Sequence, residues 1–154
     1  MSSRRIYFSI PLAMLILFFS SGCTNIENKE IESRQIAGDG VFVHVSHGPE
    51  EPHRVLMALS MAEKMAEDKS VLVYFDITGV NVLLKDAEDL TFGDFPSSKT
   101  QIAKLLEKGV GLYACPGCLK AAGKSAEDLM EGIKIASKDA FFDFTKGRIL
   151  TLDY

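Results

Sequence analysis

The run Val71-Leu72-Val73-Tyr74-Phe75-Asp76-Ile77 most constrains what this chain can fold into. It is apolar almost without a break, the pattern of a strand covered on both faces, as in a parallel sheet flanked by helices. A second segment, Val41-Phe42-Val43-His44-Val45-Ser46-His47, is β-branched-rich and bounded by Gly40 and Gly48, and reads as a first strand. Between the two, Val55, Leu59, Ala62 and Ala66 recur at helical spacing, with Ser60, Glu63, Lys64 and Glu67 on another face. That predicts an amphipathic helix to about Glu67. Pro52 suits its first turn, where a missing N–H costs nothing.

The alternation continues. Gly79 turns the chain into a short apolar segment, Val80 to Leu84, and the acidic stretch Lys85 to Phe95 reads as a loop. Ser98-Lys99-Thr100-Gln101 fits a capping box at a helix start, Ile102, Leu105 and Leu106 share one face, and Gly109 fits the position just past the helix end. Val110 to Ala114 is a third strand, followed by a short helical turn to about Ala122. A further helix is expected from Ser125, with Leu129, Met130, Ile133 and Ala136 inside, and a last strand over Arg148 to Tyr154. Strands alternating with helices predict an α/β fold with a mainly parallel sheet and right-handed crossovers. At 154 residues the chain has the length of one domain, with no internal repeat. Its formal charge of −4 and the lack of a basic run point away from nucleic acid.

The beginning of the chain is different. Arg4 and Arg5 precede an apolar stretch, Ile6 to Phe19, and Ser20-Ser21-Gly22-Cys23 follows. A basic start, a short apolar run and a small-residue site describe a secretory signal over residues 1–22. The run is shorter than the roughly 20 residues of a membrane-spanning helix; an uncleaved anchor is the competing reading. Ser-Gly-Cys resembles a bacterial lipobox, although Ser20 stands where leucine is usual. The resemblance implies that Cys23 is the lipidation site, and Thr24 in place of aspartate implies an outer-membrane address facing the periplasm. Residues 23–40 then read as lipidation site and polar tether, and 41–154 as the folded domain.

The chemistry concentrates in Cys115-Pro116-Gly117-Cys118, the two cysteines left once Cys23 is set aside. Cys115 ends a strand and Pro116 opens a helix. A thiol there faces unpaired N–H groups and the positive end of the helix dipole, which favour the thiolate. Cys118, one turn on, can resolve a mixed disulfide or receive sulfur. The bland alternative is two inert buried cysteines. One such pair cannot build a four-cysteine zinc site. The thioredoxin motif is similar in position, but no proline follows Pro116 to supply that fold's cis-proline loop.

His47 ends the first strand and His53 opens the first helix, so both could reach the strand-end rim where open parallel sheets bind ligands. They are candidates for proton transfer, or for a His/Cys metal site with Cys115 and Cys118. The simpler assignment has His47 satisfying loop hydrogen bonds, His53 exposed, and mid-strand His44 as a packing residue. Met57, Met61 and Met65 recur at helical spacing and read as core or interface. No Gly-x-Gly-x-x-Gly or Walker motif is present, so no cofactor is expected.

Three segments together resemble the DsrE/DsrF-like family of the DsrE/F/H sulfur-relay superfamily. They are Ser46-His47-Gly48-Pro49-Glu50-Glu51-Pro52-His53-Arg54, the strand Val71 to Ile77 with Gly79-Val80, and Lys108 to Lys120 around the cysteine pair. The resemblance implies a three-layer αβα sandwich around a mainly parallel sheet of four to five strands, and assembly into trimers or hexamers. It also implies that Cys115 or Cys118 carries sulfur as a persulfide between proteins. The expectation is therefore an exported thiol protein of the bacterial cell envelope. It would be lipid-anchored and would carry sulfur or exchange thiol and disulfide with a donor, acceptor or reductant protein. The alternatives are a non-catalytic small-ligand or metal-binding module and a subunit whose cysteines form only a stabilising disulfide.

Overall fold

A computed structural model describes residues 38–154. The expected signal segment 1–22, Cys23 and the tether up to residue 37 lie outside the described residues. The elements are β1 (Gly40–Val45), α1 (Pro52–Met65), β2 (Ser70–Phe75), α2 (Ser98–Glu107), β3 (Gly111–Ala114), α3 (Pro116–Ala121), β4 (Lys134–Ile135), α4 (Lys138–Phe144) and β5 (Ile149–Asp153). A 3₁₀ turn over Gly79–Leu83 follows β2, and another over Ala126–Asp128 follows α3. The strands form one sheet in the order β4-β3-β2-β1-β5, and all neighbours are parallel. The α/β fold expected from the alternating pattern is the one observed. No helix among the described residues is long and apolar enough to cross a membrane.

Side chains alternate across a strand, so each strand serves two faces. On one face Val43, Val45, Val73, Phe75 and Leu112 are fully buried, in one core with Val55, Ala58, Leu59 and Ala62 of α1 and with Ile102 and Leu105 of α2. On the other face stand Phe42, His44, Tyr74 and Tyr113, all half-buried. Their cover is α4, whose Phe141 meets Phe42, Tyr74 and Tyr113 edge-on at centroid distances of 5.6, 5.1 and 6.4 Å. The outer layer on that side is thin, and this leaves the cleft described below.

Local turn chemistry explains several boundaries. Gly109 adopts φ +74, which glycine tolerates and other residues resist. It closes α2 with bonds from its own N–H to the Leu106 carbonyl and from the Val110 N–H to the Leu105 carbonyl, 2.9 Å each. At the other end the expected capping box is not formed. Ser97 is the N-cap, and Ser98 is buried in the first turn, where its hydroxyl accepts from the Leu90 N–H at 2.9 Å. The free Lys99 N–H donates instead to Asp89 from the acidic loop, at 2.9 Å. That loop is thereby pinned to α2.

The helix expected from Ser125 through Ala136 does not form. The Ser125–Asp128 capping box is present, with the Ser125 N–H 2.7 Å from the Asp128 carboxylate, but it closes only the 3₁₀ turn. Leu129 then turns extended, is buried, and bridges to Leu84, while the Met130 N–H donates to the Leu83 carbonyl at 2.9 Å. Gly132, at φ +86, breaks any helical continuation. Backbone pairing and burial against the first 3₁₀ turn override the helical period. The segment ends in the edge strand β4, and α4 begins later, capped by Ser137 accepting from the Ala140 N–H at 3.2 Å.

Candidate functional site

Cys115 stands one residue beyond β3, and its N–H donates to the Phe75 carbonyl at 2.9 Å, extending the ladder to β2. By alternation it faces the same side as Tyr113. Pro116 starts α3, and the Leu119 N–H closes the first turn on the Cys115 carbonyl at 3.0 Å. Both cysteines are free thiols and partly exposed.

Their environments drive them apart. Burial pushes the Cys115 thiol up, but the Tyr74 hydroxyl and the N–H groups of Cys118 and Gly117, with the Cys118 thiol, outweigh it. The net effect holds Cys115 below the ordinary thiol value. These N–H groups face the sulfur without completing an aligned cap hydrogen bond. Cys118 is raised, first by burial and then by its contact with Cys115, against the opposing Ile77 N–H. Two thiols this close share their titration, so ionising the first makes the second harder to ionise. Tyr74 is likewise raised, by burial and then by Cys115, so it stays a neutral hydrogen-bond donor.

The Ile77 N–H donates to the Cys118 sulfur at 3.1 Å. Ile77 adopts φ +45, a left-handed conformation unfavourable for a β-branched residue, and its side chain is 63% exposed. Its neighbours hold it there. Gly79 donates to the Asp76 carbonyl at 2.7 Å and is so close to β1 that an added Cβ would lie 2.4 Å from the Val45 carbonyl oxygen. Glu50 accepts from the Gly48 N–H at 2.9 Å and from the Thr78 hydroxyl, tying the loop after β1 to the loop after β2.

A row of paired residues crosses the sheet beside the thiols. Asp153, His44, Tyr74 and Tyr113 are in register across β5, β1, β2 and β3. The His44 ring stacks on Tyr74 at 5.7 Å. His44 Nδ1 is 3.0 Å from Asp153 Oδ1, and Nε2 is 2.9 Å from Asp76 Oδ1. The second contact is a charge contact rather than an aligned hydrogen bond, and both of its atoms are buried with no other partner among the described residues. Burial disfavours the imidazolium, but the two carboxylates outweigh it, so His44 holds its proton above the usual histidine value. The mid-strand histidine thus packs on Tyr74 and also stands between two carboxylates.

Between this face and α4 lies an apolar cleft of about 660 Å³, with Cys115 and Pro116 on one wall and Phe42, Tyr74, Phe141 and Phe142 among the others.

The DsrE/DsrF-like family model matches residues 39–151. The chain belongs to the DsrE/DsrF-like family. This family is linked to sulfur relay. Among solved structures the chain is similar to the ychN protein from E. coli, with a TM-score of 0.60 and 16% identity over 74% of this chain and 99% of that one. It is also similar to MTH1491, a protein of unknown function from Methanobacterium thermoautotrophicum, with a TM-score of 0.53 and 24% identity over 75% and 99% of the two chains. Among curated proteins it is 27% identical to the uncharacterized protein MK0008 of Methanopyrus kandleri, over 70% of this chain and 88% of that one.

Within this DsrE/DsrF-like domain the residues singled out from the sequence separate into two groups. Cys115 and Cys118 come together at the sheet rim. His47 and His53 do not join them through hydrogen bonds among the described residues. His47 Nδ1 pairs with Ser46 Oγ at 3.2 Å, and exposed His53 stacks on Phe92 at 4.3 Å. Nor do three His, Cys, Asp or Glu side chains among the described residues converge as a metal-ligand set. The groups that do act on the thiols, Tyr74 and Asp76, with His44 in contact with both, are ones the motif reading passed over. Their signal was present: polar side chains at alternate positions near the carboxyl ends of otherwise apolar strands, the edge where open sheets bind ligands.

Proposed function

We propose that this chain is an exported sulfur carrier of the bacterial cell envelope, in which Cys115 receives sulfane sulfur and holds it as a persulfide. The observation that carries this reading is the place of the two free thiols: Cys115 at the N-cap of α3 just beyond β3, and Cys118 one turn on, held by the Ile77 N–H at 3.1 Å; the surroundings lower Cys115 and raise Cys118. The Cys115 thiolate attacks the terminal sulfur of a donor persulfide, R–S–SH. A new Cys115 S–S bond forms, the donor S–S bond breaks, and R–S⁻ leaves with the electron pair. The transferred sulfur keeps its proton. Cys118, kept as a thiol, is a poor nucleophile and does not discharge the persulfide as sulfide. Once deprotonated it resolves a mixed disulfide, so thiol–disulfide exchange is the related reaction of the same pair. An oxidising compartment would convert the pair to a disulfide unless a reductant partner maintains it. Self-assembly into trimers or hexamers belongs to the same proposal.

The domain 38–154, reduced and exposed to glutathione persulfide, should gain one sulfur atom in its intact mass. Cys115→Ser should lose the adduct and Cys118→Ser should retain it. No adduct while both thiols still react with an alkylating agent would sink the carrier reading. Retention only in Cys115→Ser would move the role to Cys118.

The envelope address rests on the basic, apolar and small-residue order of the first 23 residues and on Cys23. In a Gram-negative host the full chain should fractionate with outer membranes, and Cys23→Ser should release it from them. Membrane association unchanged by that substitution would point to an uncleaved anchor instead.

A further inference from the structure

Cys115 is the reactive end of a concave site. The cleft beside it, about 660 Å³, lies within the range of small-molecule sites, roughly 300–1,000 Å³, and Phe42, Tyr74, Phe141 and Phe142 give it an aromatic share of its walls. Tyr74 and Phe141 hold each other edge-on at 5.1 Å, so this wall is already formed. Phe142 leaves 65% of its surface in solvent at the cleft. Among the described residues Lys138 is the one charged side chain lining the cleft, with its ammonium 5.8 Å from the Phe142 ring centre. An apolar chamber with a thiol in its wall and one cation suits a molecule with an apolar body and an anionic end.

We propose that this cleft holds the aryl body of a low-molecular-weight persulfide bearing an anionic group, and so presents its terminal sulfur to Cys115. The proposal rests on Cys115 as the sulfur-bearing residue. The transfer is the one written above: the Cys115 sulfur bonds to the terminal sulfur, the donor S–S bond breaks, and the aryl-bearing donor leaves as its thiolate. The aromatic walls select the body and Lys138 faces its charge. A polar donor of equal reactivity gains nothing from such walls.

The test compares two donors of matched chemistry, the persulfides of 4-(sulfanylmethyl)benzoate and of sulfanylacetate. Both are primary and anionic, and only the first has an aryl body. Transfer rates to the reduced domain are followed by intact mass and normalised to each donor's rate with N-acetylcysteine. The aryl donor should be faster by about tenfold, the scale of discrimination an apolar pocket provides. Thr145→Trp, at an exposed position lining the cleft, should bring the ratio close to one. Phe142→Ser should lower it, and serves as the second variant because the native side chain is already mostly in solvent. Equal normalised rates in the unaltered domain, or a preference that survives Thr145→Trp in a folded variant, would overturn the proposal. So would equal rates in an oligomer that Thr145→Trp dissociates, which would make the cleft a contact between copies of this chain. Should neither donor transfer sulfur, the carrier reading fails separately, and the unreactive methyl thioether of 4-(sulfanylmethyl)benzoate decides the cleft by ligand-observed NMR. Binding lost in Thr145→Trp supports the site, and no binding overturns it.

Discussion

At pH 7, limiting iodoacetamide should alkylate Cys115 in preference to Cys118, since the thiol held lower carries the larger thiolate fraction. The two sulfurs share one motif, so the difference comes from what surrounds them. Burial disfavours both thiolates; Tyr74 and the N–H groups of α3 reverse this for Cys115, and its charge adds to the burden on Cys118. The Cys115 rate should therefore plateau at a lower pH than that of Cys118, which climbs only as the medium becomes more alkaline. Tyr74→Phe removes the hydroxyl and should slow Cys115 at pH 7 by about three- to tenfold, consistent with a modest hydrogen bond to a charged, partly solvated group. In Cys115→Ser the charge beside Cys118 is gone, and Cys118 should become more reactive than in the unaltered protein. Mass-resolved alkylation across pH measures all three. Equal rates for the two thiols, or a faster Cys118, would refute the assigned roles.

The largest losses of stability should come from two positions that build the rim. Phe75 is fully buried in the central strand β2, and Phe75→Ala should destabilise the domain by about 3–5 kcal/mol through lost burial and the cavity left behind. Gly79→Ala acts by the opposite route. Its new methyl group would sit 2.4 Å from the Val45 carbonyl oxygen, which is backbone and cannot rotate away. Separating the loops from β1 should destabilise by about 1–3 kcal/mol or more. Against a usual total of about 5–15 kcal/mol, either change is large. Urea unfolding reads both values. Gly79→Ala should also alter Cys118 alkylation, because Ile77 and its N–H lie within the displaced turn. A loss under about 0.5 kcal/mol with unchanged Cys118 reactivity would mean the two loops separate freely.

What was legible in the sequence depended on the range of the interactions concerned. The strands around Val43, Val73 and Leu112, the helix opened by Pro52, and the stop at Gly109 were read correctly because side-chain period, proline and positive-φ glycine act within a few residues. The same local rules failed over Ser125–Ala136. The capping box there is real, but Leu129 gains more by burial and by bridging Leu84, forty-five residues earlier in the chain, than by continuing a helix across Gly132. Ser98 failed in a similar way, because Asp89 and Leu90 from another segment took over the Lys99 and Ser98 N–H groups.

The sequence by itself determined a parallel α/β domain and a cysteine pair where a strand runs into a helix, since periodicity, turn residues and motif spacing are properties of neighbouring residues. Only the tertiary structure decided what those cysteines face. Tyr74, Asp76 and His44 reach the site through the register of β1, β2 and β5, and Phe141 through the packing of α4. Register and layer packing are set by contacts between segments far apart in the chain. The field around each thiol, and the cleft beside Cys115, come into being only when those segments are side by side.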